Sequence, residues 1–345
     1  MAWVICAVAL FSAGCSKQST PAQTGGQGAP AGGQGAAAAG DKKLVIGVMP
    51  KLVGIDYFNA CEQGAREAGR ELGVEVVYDG PATNDVTKQA QMVETWVTKK
   101  YDAIAIAPND PDAIGVALDK ARKRGIKVIT WDADAVAGAR DFFVNQAANS
   151  AVASSLMDLM AKEVGPEAKY IIVTGSLTAA NQNIWMAEME KYRAATYPGM
   201  TNLSATPKAS EEDSALATTL TLECLKTYPD LQGIFAITST GLPGAAEAIR
   251  KAGAADRIFL TGLATPKQMR SYVKDGTVRK FVLWSPVDLG YLSVYAAVAA
   301  VRGELKPGDA SFNAGRLGTV QIEGDQILLG DPLVFDINNI DNYNF

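Results

Sequence analysis

From Leu44 onward, short apolar runs alternate with longer stretches in which apolar residues recur every three or four positions. The runs LVIGVMP, VEVVYDG, AIAIAP, IKVITWD and DFFVNQ read as strands, and Asn59 to Leu72, Val86 to Lys99 and Asp112 to Arg124 read as the helices between them. Strands and helices in this alternation build a doubly wound parallel sheet. The order then begins again. A helix from Ala151 to Val164 precedes YIIVTGS, helices from Asn183 to Tyr197 and Ser214 to Tyr228 precede GIFAITS, and a helix from Gly244 to Ala252 precedes IFLTGL. A helix from Pro266 to Asp275 and the run VRKFVLW complete the second set, which repeats the architecture of the first without repeating its sequence.

The fold class predicted is therefore α/β, with two doubly wound parallel-sheet lobes. An apolar helix from Leu289 to Val301 follows the second sheet and is expected to return to the first lobe. Its tyrosines and short length argue against a membrane span, which needs about 20 apolar residues. A return would make a multi-strand hinge, with one lobe formed by 41–145 and about 288–318, and the other by 146–287 and about 319–345. Several crossings suit closure of two lobes around a ligand.

Ahead of this pattern, Met1 to Gly14 is apolar but too short to cross a bilayer, and reads as a secretion signal. It ends in Ser12-Ala13-Gly14-Cys15, which resembles the bacterial lipobox; the resemblance implies a lipidated Cys15 as the first mature residue. Ser16 to Gly40 is almost uncharged and rich in Gly, Ala, Gln and Pro, the composition of a flexible tether. The expected location is periplasmic or otherwise extracytoplasmic, anchored to a membrane through Cys15.

Composition narrows the function. The 345 residues suffice for about two domains, and 48% hydrophobic against 20% charged residues is the balance of a globular protein. A net charge of -5 makes nucleic acid a poor partner, and the lack of histidine removes the commonest proton shuttle and metal ligand. Cys6, Cys15, Cys61 and Cys224 form no CxxC pair and no zinc spacing. Cys61 and Cys224 fall on helices of different lobes, where a bridge would oppose hinge motion, so free thiols are expected. No phosphate-binding glycine loop, GxSxG or metal-ligand string occurs, which leaves no motif for a metal site and makes catalysis harder without excluding it.

In open α/β sheets a ligand sits past the carboxyl ends of the strands. There the first lobe carries Lys51, Tyr57, Phe58, Asp132, Asp134 and Asn145; the second carries Asn181, Gln182, Trp185, Thr238, Ser239, Leu263, Trp284 and Asp288. Amides and carboxylates bond neighbouring hydroxyls, and aromatic faces pack on the C–H face of a sugar ring. Asp132 and Asp134 equally suit turn or cap positions, Asn181 suits a helix cap, and the aromatics suit core packing.

The segments PKLVGIDYF, YDGPATNDV, VITWDAD, NQNIW, LPGAAEAI, TPKQMRSYV, DGTVRKFVLW and FDINNIDNYNF together resemble autoinducer-2 and rhamnose-type sugar-binding proteins, over nearly all of Leu44 to Phe345. The resemblance implies a type I periplasmic binding protein, a monomer with no cofactor that delivers ligand to an ABC permease. It also implies ligand contacts at Lys51, Asp132, Asn181 and Gln182. Asn181 stands where the autoinducer-2 binders carry aspartate, and Thr238-Ser239 replaces their Pro-Asp-Ala segment. These differences, with VLWSPVDLGY and AGRLG, look like the rhamnose branch. A deoxyhexose such as rhamnose is thus the expected ligand, with autoinducer-2 second and a pentose third. A sensor domain would use the same lobes, while a sugar-modifying enzyme would have only Asp132 and Asp134 as an acidic pair.

Overall fold

The structure, a computed structural model, describes residues 43–345. The signal, Cys15 and the tether lie outside the described residues. The first series of elements is β1 (Val45–Met49), α1 (Asp56–Leu72), β2 (Glu75–Tyr78), α2 (Val86–Thr98), β3 (Ala103–Ile106), α3 (Gly115–Lys123), β4 (Lys127–Trp131) and β5 (Phe142–Asn145). The second is α4 (Asn149–Glu163), β6 (Lys169–Thr174), α5 (Ala180–Thr196), β7 (Thr201–Asn202), β8 (Lys208–Ala209), α6 (Ser214–Thr227), β9 (Gly233–Ala236), α7 (Gly241–Ala252), β10 (Phe259–Gly262), α8 (Pro266–Lys274) and β11 (Phe281–Leu283). Then come α9 (Pro286–Arg302), β12 (Ser311–Asn313), β13 (Thr319–Glu323), β14 (Gln326–Leu328) and β15 (Leu333–Phe335). Local chemistry sets several helix starts: Asp85 and Asp213 cap α2 and α6, Thr265 and Gln268 form a reciprocal box on α8, and Ser285 with Pro286 opens α9.

Strands β2, β1, β3, β4 and β5 lie parallel in that order. Both faces are covered, so alternate side chains enter two cores. Ile46, Val48, Ala103 and Ala105 join the core that includes Phe58 and Cys61 of α1 and the apolar side of α9; Met49, Ile104 and Ile106 join Val93, Trp96 and Leu118 of α2 and α3. The second sheet has the same winding, with β6 between β9, which continues to β10, and the short β7 and β8. VRKFVLW does not extend this sheet as a full strand: β11 touches it through one bridge, Leu263 to Val282, and pairs antiparallel with β15.

Helix α9 packs on α1 and across β1, β3, β4 and β5. It is apolar nearly all round because it is a core helix; no helix among the described residues is long and apolar enough to cross a membrane. Glycines let the two backbones touch: a Cβ on Gly290 would lie 1.9 Å from the Cys61 carbonyl oxygen, and one on Gly64 1.7 Å from that of Val287.

The segment expected in the second lobe after residue 318 divides. β13 and β14 form a hairpin whose second strand pairs parallel with β5, so 319–328 extends the first sheet, and β15 alone reaches β11. The alternately buried TVQIE pattern of β13 specifies a half-covered strand but not its partners, which are β12 and β14, and the free edge of β5 supplies unpaired peptide groups for β14. The chain thus passes between the sheets at 146–148, 284–285 and 329–332.

Candidate binding cleft

The segments following β1, β4, β9, β10 and β11 converge with the first turns of α1 and α5, at the crevice where the strand order reverses in each sheet. Lys51, Tyr57, Phe58, Asp132, Asn181, Gln182, Trp185, Thr238, Ser239, Leu263 and Trp284 line one cavity there, joined by Ile55, Glu212, Ile237 and Leu283.

On the first wall, Gln89 is fully buried and shapes the loop that carries Lys51. Its side-chain amide donates to the carbonyls of Pro50 (3.2 Å) and Ala107 (2.9 Å), while its Oε1 accepts from the Asn109 backbone N–H (2.9 Å). The Asn109 side chain in turn donates to the Lys51 carbonyl at 2.9 Å. The Lys51 ammonium donates to Asn181 Oδ1 at 2.9 Å and lies 3.7 Å from Asp132 Oδ2. Tyr57 donates to Asp132 Oδ1 at 2.7 Å and accepts from Trp284 Nε1 at 2.8 Å.

Asp132 has a left-handed φ of 64°, and the Ala133 N–H bonds the Trp131 carbonyl at 2.7 Å across it. Such a three-residue turn is strained and breaks the in-out alternation of a strand. Burial raises the Asp132 pKa above the ordinary carboxylate value, against the lowering pull of Lys51 and the Tyr57 hydroxyl; Glu212, from the opposite wall, pushes it further up. Burial, followed by the Asp132 charge, holds the Tyr57 phenol well above its usual range.

On the second wall, α5 starts three residues ahead of the predicted Asn183, so Asn181 and Gln182 sit in its first turn. Gln182 Oε1 accepts from the Thr174 hydroxyl (2.5 Å) and the Gly175 N–H (2.6 Å), which points its amide nitrogen at Glu212 Oε1 (3.2 Å). Glu212 Oε2 accepts from the hydroxyls of Thr240 (2.9 Å) and Thr238. Trp185 donates to Asn149 at 2.9 Å, and its ring centre lies 5.7 Å from that of Trp284.

Three of the predicted residues are not brought to this cavity. Asp134 is held by Arg140 through two 2.7 Å bonds and by Thr130. Asn145 turns to Gln326 at 3.4 Å, on the strand added beside β5. Asp288 pairs with Arg316 at 2.5 Å. Each stands at a strand end or helix start, as the cavity residues do, but has a partner nearby in space that the pattern did not reveal. Glu212 is the residue the sequence reading missed. It lies in the acidic run Glu211-Glu212-Asp213, whose last member caps α6, and that run resembles an ordinary solvated helix entry.

Cys61 and Cys224 are free and buried, as expected, and burial raises both thiol pKa values. Among the described residues no group of His, Cys, Asp or Glu could hold a metal ion. One ammonium, two carboxylates and several amides and hydroxyls face an aromatic and aliphatic lining, an arrangement suited to bonding several hydroxyls of one small ring while packing on its apolar face.

Residues 46–305 match the family described as periplasmic binding protein domain. The ribose import binding protein of Bacillus subtilis (strain 168) is 24% identical over 269 residues, covering 76% of this chain and 83% of that protein. The solved structure of LsrB from Clostridium saccharobutylicum in complex with AI-2 is 28% identical with a TM-score of 0.84, covering 88% of this chain and 100% of that one. An ABC transporter solute binding protein from Clostridium phytofermentas with bound L-rhamnose is 27% identical with a TM-score of 0.83, covering 88% and 98% respectively.

Proposed function

Because this chain belongs to the periplasmic binding protein family, a family of binding proteins rather than enzymes, we propose that it is the extracytoplasmic sugar-binding component of an ABC transporter, with a rhamnose-like deoxyhexose as ligand. One observation carries the reading: Lys51, Asp132, Asn181 and Gln182, positioned by two separate sheets, line one cavity together with the aromatic rings of Tyr57, Phe58, Trp185 and Trp284. Ligand held by both walls binds the closed arrangement better than the open one, and that difference drives closure and presentation to the permease. Ile55, Phe58, Ile237, Leu263 and Leu283 supply apolar surface for a methyl group, which a 6-deoxy sugar has and ribose lacks.

Autoinducer-2 is the second reading, supported by the likeness to LsrB. Lipidation of Cys15 would hold the protein at the membrane by the tether, and the lobes would act as a monomer.

Calorimetric titration of protein beginning near Asp41, stripped of retained sugar, with L-rhamnose, autoinducer-2 and D-ribose in parallel tests the assignment. Saturable binding of L-rhamnose in preference to the others is the expected result. Preference for autoinducer-2 replaces the ligand, and binding of none of the three removes the sugar reading.

A further inference from the structure

We infer that Glu212 restricts the cleft to uncharged polyols: its preset carboxylate accepts a ligand hydroxyl from the second wall and, with Asp132 opposite, leaves no net positive charge for an anionic sugar. The inference deepens the sugar-binding reading and rests on it.

The residue is held in place from every side. A carboxylate offers about four acceptor positions. Thr238 and Thr240 occupy those of Oε2 and the Gln182 amide takes one of Oε1, which leaves one acceptor position open on a residue that lines the cavity. The backbone is forced to deliver it, since Glu211 and Glu212 are consecutive left-handed residues at φ 50° and 56°. Strain of this kind persists where surrounding bonds over-determine it. Gly175 completes the arrangement, because a Cβ there would stand 1.9 Å from Glu212 Oε1. A side chain that served only to start α6 would need none of this, as Asp213 already caps that helix.

The charge count decides the selectivity. Among the described residues Lys51 is the one cation lining the cavity, against the carboxyl groups of Asp132 and Glu212. A phosphate or carboxylate on the ligand would meet two carboxyl groups for one ammonium in a desolvated space, where like charges repel strongly. A neutral sugar meets fixed acceptors for its hydroxyls instead.

The test titrates wild type, Glu212→Gln and Glu212→Asp with L-rhamnose, autoinducer-2, D-ribose, L-rhamnonate and L-rhamnose 1-phosphate, each protein first checked for cooperative unfolding. Wild type should bind its preferred neutral compound and discriminate against both anions. Glu212→Gln should weaken neutral binding by about tenfold or more, the scale of a lost bond to a charged acceptor, and narrow the discrimination. Glu212→Asp keeps the charge but withdraws the oxygens by one methylene; it should lose neutral affinity while still rejecting the anions. The pH profile gives a further reading. Asp132 is faced by Lys51 from the β1 loop, by Tyr57 and Cys61 from α1, and by Glu212, so removing the last charge should move the acid-side loss of binding to lower pH. Unchanged affinity, discrimination and pH profile in a folded Glu212→Gln protein overturn the inference alone. Failure of wild type to bind any neutral sugar overturns the sugar reading, and this inference with it.

Discussion

The Lys51 ammonium donates to Asn181 Oδ1 at 2.9 Å, joining the loop after β1 of the first sheet to the first turn of α5 beside the second. Both side chains are buried, and the ammonium is also 3.7 Å from Asp132. One cation thus serves a neutral acceptor on one wall and a charged one on the other, so the identity of residue 181 sets how much of its attraction remains for the ligand and for Asp132.

Asn181→Asp tests this balance. A carboxylate adds a full counter-charge to a bond that the ammonium already makes charge-assisted, and so holds Lys51 more strongly than the amide does. The variant should draw Lys51 toward the second wall and weaken L-rhamnose binding by about tenfold, the scale of one charged hydrogen bond. The resemblance to autoinducer-2 binders, which carry aspartate at this position, makes a relative gain for autoinducer-2 the expected companion change. Competition calorimetry with the two compounds reads the ratio, and an unaltered ratio would detach residue 181 from ligand choice.

Asp132→Asn separates stability from binding. A carboxyl whose folded-state pKa is raised contributes stability that is fully present below its unfolded value, near 3.8, and lost as pH rises through the folded value. Wild type therefore loses stability as pH rises through the folded value, whereas asparagine has no proton to lose and tolerates the left-handed backbone. The variant should unfold at higher denaturant than wild type at pH 7, with the advantage shrinking as pH falls toward 3.8, while sugar affinity drops by about tenfold or more. A stability difference independent of pH would contradict the assignment.

The winding of both sheets was legible because parallel strands covered on both faces read as unbroken apolar runs, and the polar residues just past Met49, Trp131 and Ala236 pointed to the crevice at the strand ends. Partner choice was not legible. Asp132 and Asp134 stand two residues apart in the same run, yet a three-residue turn sends one to the cavity and Arg140 claims the other. Glu212 was hidden for a related reason: β7 and β8 are two residues each, too short to show a period, so nothing in the pattern placed the following acidic run at a strand end. The hairpin at 319–328 was assigned to the other lobe, because an alternating pattern carries no address for the sheet edge it will extend.

Gly290→Ala tests the contact on which the first lobe's core depends. The added methyl would enter the Cys61 carbonyl at 1.9 Å, and backbone on both sides prevents the relief a flexible side chain could give. Overpacking of a tight core costs about 1–3 kcal/mol, and this site belongs at the upper end. Thermal unfolding should show a midpoint several degrees lower than wild type; an unchanged midpoint would mean that α1 and α9 do not pack at this distance.

The bonds from Trp284 to Tyr57 at 2.8 Å and from Tyr57 to Asp132 at 2.7 Å form a chain whose middle member is both acceptor and donor. Bonds in such a chain polarise one another, and its members act together. Trp284→Phe leaves the Tyr57 oxygen without its donor, and Tyr57→Phe leaves both the indole N–H and one Asp132 oxygen unmet, so each should cost about 1–3 kcal/mol, the penalty for an unsatisfied buried group. Relative to Tyr57→Phe, the double variant breaks no further bond of the chain and removes the indole N–H that Tyr57→Phe leaves unmet, so the Trp284–Tyr57 bond is counted once and not twice. Denaturant unfolding of all four proteins should therefore give a double-variant loss smaller than the sum of the single losses, with a coupling of about 0.5 kcal/mol or more. Strict additivity would mean that the indole and the phenol contribute independently, and that Trp284 lines the cleft without orienting Asp132.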